Sequence, residues 1–190
     1  MSGSRERPLR ADAARNRAKL LDVATEVFTT RGVDVPTEEI ARAAGVGVGT
    51  LFRHFPTKEA LLAAVMVRRL EAIAAGAADL AAGAEPAEAF FDCFRLVVDR
   101  SEGKNEFTQA LAAAGVDVHA SLQEPTTAIR AQLTDLLAGA QRAGAVRADL
   151  GLPELLALLV GTGATMEQLR DDPAARERIY EVVFDGLRPH

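Results

Sequence analysis

Three histidines and one cysteine are the first places to look for chemistry. His54, His119 and His190 lie far apart in the chain and share no zinc-ligand spacing. One cysteine, Cys93, allows neither a C-x-x-C pair nor a disulfide within the chain. There is no G-x-S-x-G and no phosphate-cradling loop. The GTG at 161–163 sits inside an apolar helical stretch, where it serves packing. No pair of carboxylates stands out from the many solvated ones. No enzyme, metal site or cofactor is therefore expected. What remains is a run suited to recognition: VGVGTLFRHFPTKEAL, residues 46–61. Gly45, Gly47 and Gly49 crowd its entrance. Thr50, Arg53, His54 and Lys58 supply the polar and basic groups, and Pro56 interrupts it.

The elements around this run explain its brevity. From about Ala11 the apolar positions Leu20, Ala24, Val27 and Phe28 fall on one helical face, and Gly32 supplies a C-cap. The first ten residues are expected as a disordered arm whose Arg5, Arg7 and Arg10 either touch a phosphate backbone or remain a solvated tail. Thr37 is placed to N-cap a two-turn helix, with Glu38 and Glu39 in its first turn and Ile40, Ala41 and Ala44 on its buried side. Val46 to Phe55 forms the next short helix, and Thr57 caps a long fourth one reaching about Ala82. Two short helices joined by a tight glycine turn, after a longer first one, make a helix-turn-helix head. In that arrangement the second helix of the pair enters the DNA major groove, about 12 Å wide. Gly47 and Gly49 permit close backbone approach, while Leu51 and Phe55, four apart, face the small core.

The charge balance agrees with one end meeting a polyanion. Residues 1–58 hold ten Lys/Arg against seven Asp/Glu, and the remainder twelve against twenty, within a net charge of −5. The N-terminus has no apolar signal region, and no stretch approaches an 18-residue apolar span. The single cysteine fits a reducing compartment, so a cytoplasmic location without membrane contact is expected.

The run T-x-x-x-I-A-x-x-A-G-V-x-x-G-T-L-F-x-H-F-x-x-K-E-A-L, Thr37 to Leu61, resembles the DNA-binding head of the tetracycline-repressor (TetR) family. The resemblance covers about residues 11–62. It implies a homodimeric transcription factor, most often a repressor, that binds a palindromic double-stranded operator and is released by a small effector. It implies that Thr37 binds phosphate, that Thr50 and Arg53 with Val48 read or flank bases, and that position 52, His54 and Lys58 touch phosphate. His54 and Phe52 could each equally be packing residues. Gly47 stands where serine is common in the family, and Phe52 where tyrosine is common. Each departure removes a hydroxyl worth about 1 kcal/mol of net hydrogen bonding. Val48 offers only apolar contact, suited to a thymine methyl group.

The rest of the chain is expected to be helical too, at about 86–102, 104–114, 125–143, 152–169 and 173–187, with Pro125, Pro153 and Pro173 at first turns. The fold expected is all-α: a three-helix head, residues 1–56, and a helical ligand-binding and dimerisation body, 57–190, about nine helices in all. An apolar effector pocket is assigned to Phe90, Phe94, Phe107, His119 and Met166, although each phenylalanine reads at least as well as ordinary core and His119 as a surface or capping residue. The dimer interface is assigned to Leu155, Leu158, Leu159, Thr162 and Met166 on one helix and Ile179, Val182 and Val183 on the last, resting on the resemblance more than on periodicity; the alternative is that these stripes bury only against their own chain, as some of each must. Cys93 reads as a small buried hydrophobe.

Overall fold

The computed structural model describes residues 6–101, 103–116 and 119–189; the side chains at 6–13, 104–105 and 119–121 lie outside the described set. Among the described residues the chain is entirely helical. The order is α1 (Glu6–Arg31), α2 (Thr37–Ala43), α3 (Val48–His54), α4 (Lys58–Gly83), α5 (Pro86–Arg100), α6 (Lys104–Ala113), α7 (His119–Arg142), α8 (Leu152–Gln168) and α9 (Pro173–Leu187).

The helix ends follow local chemistry. Gly32 closes α1 at φ +80° and Gly45 follows α2 at φ +70°, the left-handed region that favours glycine. The Thr57 hydroxyl accepts from the Ala60 amide at 3.1 Å and so caps α4. Asp172 accepts from the Ala175 amide at 2.9 Å and caps α9. Glu154 reaches back to the Gly151 amide at 3.1 Å at the start of α8.

Three expectations are corrected. Helix α1 begins at Glu6, inside the stretch expected as a disordered arm; Arg5 and the side chains of Arg7 and Arg10 lie outside the described residues. Thr37 does not cap α2. Pro36 holds the flanking extended conformation, and its carbonyl accepts from the Glu39 amide at 3.1 Å, so Thr37 becomes the first helical residue. Pro125 lies within α7 rather than at its start. The missing N–H would have paired with the carbonyl of residue 121, still in the opening turns, and the buried proline ring adds to the packed face.

The chain forms two compact units, Met1–Arg68 with Asn105–Val118, and Arg69–Lys104 with His119–His190. The first therefore extends past residue 56. In it α2 packs against both α1 and α3. Leu20, Ala24, Phe28, Ile40, Ala41, Leu51, Phe55, Leu61 and Val65 are all buried. Phe28 meets the edge of Phe107 at 6.0 Å between ring centroids. Arg31 pairs with Glu39 at 2.6 Å and Arg68 with Asp22 at 2.7 Å, both exposed and so worth little individually. In the second unit α5 packs against α7 and α8. Phe184 of α9 joins that core, 4.8 Å from Phe91 and 5.6 Å from Phe94.

Candidate nucleic-acid interface

Helix α3 has seven residues, and its side chains sort by their spacing of four. Leu51 and Phe55 point inward and are buried. The Arg17 guanidinium lies 5.0 Å over the Phe55 ring, holding α1 to the end of α3. Gly49 and Arg53 form the exposed outer stripe, Thr50 and His54 a half-buried polar flank, and Val48 and Phe52 the opposite flank. Phe52 is 39% exposed.

Neither Gly47 nor Gly49 is needed by the fold. Gly47 is the residue before α3, at φ −73° and ψ 148°, and neither glycine has positive φ. A Cβ built on either would meet nothing within 4 Å. Glycine in a helix costs about 1 kcal/mol relative to alanine. A bare backbone on an exposed helix face, with open space beside it, is suited to something that approaches from outside.

The other expected contacts cluster around α3. Lys58 is half-buried at the first residue of α4. The amides of that first turn are partly committed: Ala60 donates to Thr57, and a backbone hydrogen bond together with one from Thr57 holds the Glu59 carboxyl below its ordinary range. Thr37 is only 7% exposed, and its hydroxyl makes a long 3.4 Å bond to Glu38. Gly47, Val48, Gly49, Thr50, Phe52, Arg53, His54 and Lys58 thus lie together on α3 and its flanks, with Thr37 more deeply set.

The residues assigned to an effector pocket are divided between the two units. Phe90, Phe94 and Met166 are close-packed in the core of the second unit. Phe107 lies in the first unit against Phe28. The side chain of His119 lies outside the described residues. The assigned dimer stripe also divides: Leu155, Leu159, Thr162 and Met166 are buried by their own chain, because their spacing of four, three and four turns them onto the α5 side of α8. Leu158 and Val182 are exposed, with Ile179 and Val183 half-buried.

An open cleft of about 870 Å³ lies elsewhere in the second unit, lined by Phe91, Arg95, Phe184 and Arg188 with Glu88 and Asp92. Arg95 stacks 4.2 Å over Tyr180 and is held bidentate by Glu177, at 2.9 and 2.5 Å. Arg188 stacks 5.4 Å over Phe91. None of the residues expected to line a pocket belongs to this cleft. Its signal in the sequence was a phenylalanine four residues before an arginine in two places, Phe91 with Arg95 on α5 and Phe184 with Arg188 at the end of α9. Among the described residues no group of three or more His, Cys, Asp or Glu could hold a metal ion, and no helix is long and apolar enough to cross a membrane.

Comparison with known proteins agrees with the head and extends to the body. Residues 20–65 match the family of bacterial regulatory proteins described as tetR, and residues 85–189 match the C-terminal domain of SbtR-like transcriptional regulators. A TetR transcription regulatory protein from Mycobacterium vanbaalenii is 43% identical, with 96% of this chain and 100% of that one covered, at a TM-score of 0.76. A TetR transcriptional regulator from Streptomyces coelicolor is 36% identical over 91% of this chain and 98% of that one, at 0.75. HTH-type transcriptional regulators of Staphylococcus aureus are 38% identical over 64 residues, 33% of this chain, and the match spans about a third (35%) of their length. With a helix-turn-helix head, an all-helical body and both halves matched, this chain belongs to the TetR family of DNA-binding transcriptional regulators.

Proposed function

We propose that the protein is a homodimeric repressor that binds a palindromic operator through α3 and is released by a small ligand. The observation that carries the dimer is the outer face of the last two helices. Val160 on α8 is 70% exposed, Val182 on α9 is 69% exposed and Leu158 is 37% exposed. Gly161 and Gly186 lie exposed beside them. Helix α8 carries only two charged residues, Glu154 and Glu167. A helix apolar on its outer as well as its inner side is built to be covered on both. A second copy of the same chain, related by a two-fold axis, covers the patch with itself. Two heads then meet successive major grooves about 34 Å apart.

At the operator Thr50 and Arg53 face the bases, His54 and Lys58 the phosphates, and Gly47 and Gly49 admit the close approach. Sensing is supported by a structural neighbour described as a gamma-butyrolactone receptor (ArpA-like protein), 26% identical over 93% of this chain at a TM-score of 0.64. Because Phe90, Phe94 and Met166 are packed core, an effector either opens that core or uses the open cleft at Phe91 and Phe184. A ligand acts only by its preference for one arrangement of the heads.

The test is binding to DNA from beside the protein's own gene, against scrambled competitor, at several salt concentrations, with stoichiometry by sedimentation. Two chains per site, surviving competitor and released by a compound from a small-molecule screen, is the expected result. One chain per site refutes the homodimer. A complex that no compound releases refutes the effector-controlled reading.

A further inference from the structure

We infer that the Val48–Phe52 flank of α3 reads thymine through its C5 methyl group, which makes Phe52 a specificity-determining residue of the head. This rests on the DNA-binding reading above and goes beyond it to the chemistry being read. Among the described residues four large hydrophobic side chains are exposed, and Phe52 is the one that belongs to the first unit. The core beneath α3 is already filled by Leu51 and Phe55. Val48 sits one turn before Phe52 on the same flank, half-buried, so the two make a continuous apolar strip.

The groove limits what such a strip can recognise. The base edges in the major groove are told apart by hydrogen-bond donors and acceptors and by one projecting apolar group, the thymine methyl. Valine and phenylalanine carry no side-chain donor or acceptor. Purine and cytosine edges placed against them lose water and regain no hydrogen bond, whereas a methyl group gains buried apolar area. Four helical residues span about 6 Å along the axis and a base-pair step is about 3.4 Å, so the strip covers about two neighbouring steps. The Gly49–Arg53 stripe borders it. Arg53, with its bidentate preference for guanine O6 and N7, therefore places a guanine beside the thymine step in each half-site.

The experiment selects duplexes from a random library with the full-length protein, then remakes the selected site with uracil for thymine, first throughout and then one position at a time. Uracil differs from thymine only by the missing methyl. The same exchange in an unselected duplex sets the background. Selected half-sites should hold thymine at neighbouring positions, and uracil there should weaken binding about three- to fivefold per methyl lost. Phe52→Ala and Val48→Ala, checked for native helicity, should each lose the thymine preference at one of the neighbouring positions, and the double variant should bind the thymine and uracil duplexes with nearly equal affinity. Equal binding of both duplexes by the wild-type protein overturns the inference. So does a Phe52→Ala variant that weakens selected and random duplexes alike while keeping the thymine preference, since Phe52 would then rest on the sugar–phosphate backbone. Failure to enrich any site, seen before uracil is introduced, defeats sequence-specific reading itself.

Discussion

Gly49→Ala should make the protein more stable and a worse DNA binder. The added methyl group meets nothing within 4 Å, and the residue is helical without positive φ. The substitution therefore adds no strain and removes the entropic penalty of glycine in a helix, about 0.5–1 kcal/mol. For a chain of 190 residues this raises Tm by about 2–4 °C per kcal/mol. Against DNA the sign reverses. Forcing a methyl into an already close contact costs about 1–3 kcal/mol, or roughly 5–150-fold in affinity. Differential scanning calorimetry and fluorescence anisotropy on one preparation read both quantities. A variant that is stabilised and binds with wild-type affinity refutes the reasoning, because the glycine would then answer to neither fold nor ligand. A destabilised variant refutes it as well, because the space beside Gly49 would not be open.

Other perturbations separate the roles of single residues. Arg53→Ala should lower affinity for the selected site by about 1–3 kcal/mol and relax base preference, whereas Lys58→Ala should weaken specific and random binding alike and reduce the salt slope by about one unit; titrations against salt measure both. Val182→Glu should yield folded monomers by sedimentation velocity, while Leu155→Glu, at a fully buried position, should unfold the body by circular dichroism. The Cys93 thiol is pushed up to about 11 by burial, so thiol-specific reagents at pH 8 should label it only after denaturation. Burial, then the hydrogen bond its hydroxyl donates to Asp99 at 2.7 Å, raises the Tyr180 phenol above its ordinary value of about 10. Its contribution to stability is full below that value and is lost as pH rises above it. With no tryptophan and one tyrosine in the chain, ultraviolet absorbance should show no phenolate until unfolding begins.

The head and most helix ends were legible in the sequence for a local reason, whereas the starts of α1 and α7 were not: Pro125 reads as a first turn but lies inside α7. Gly32, Gly45, Thr57 and the prolines at 153 and 173 act within one turn of their own positions, and their effect needs no knowledge of the rest of the fold. Thr37 was misread because Pro36 competes for the same boundary one residue earlier. What the body's side chains face was not legible, since that depends on partners distant in the chain. Phe107 has the same composition signal as Phe90 and Phe94, yet it packs with Phe28 in the other unit. Periodicity on α8 marked an apolar stripe correctly, but a helix that is apolar nearly all round carries two such stripes. Leu155 and Val160 differ only in which one they occupy.

The two glycines flanking the start of α3 pose the remaining question, and Gly47 answers it differently from Gly49. Gly47 precedes the helix in an extended conformation that any residue adopts, with open space beside it. A serine there fits without strain and can cap α3, which gains a few tenths of a kcal/mol over glycine. Gly47→Ser also restores a hydroxyl at the edge of the interface. If that edge lies against phosphate, binding to selected and random duplexes should tighten together by about 1 kcal/mol, roughly fivefold. A gain confined to one sequence would mean that position 47 faces a base instead. A loss on both would mean that the backbone at Gly47 approaches DNA as closely as at Gly49. The serine and alanine variants, measured side by side, thus map where the DNA surface turns away from the helix, one residue in sequence separating the two glycines.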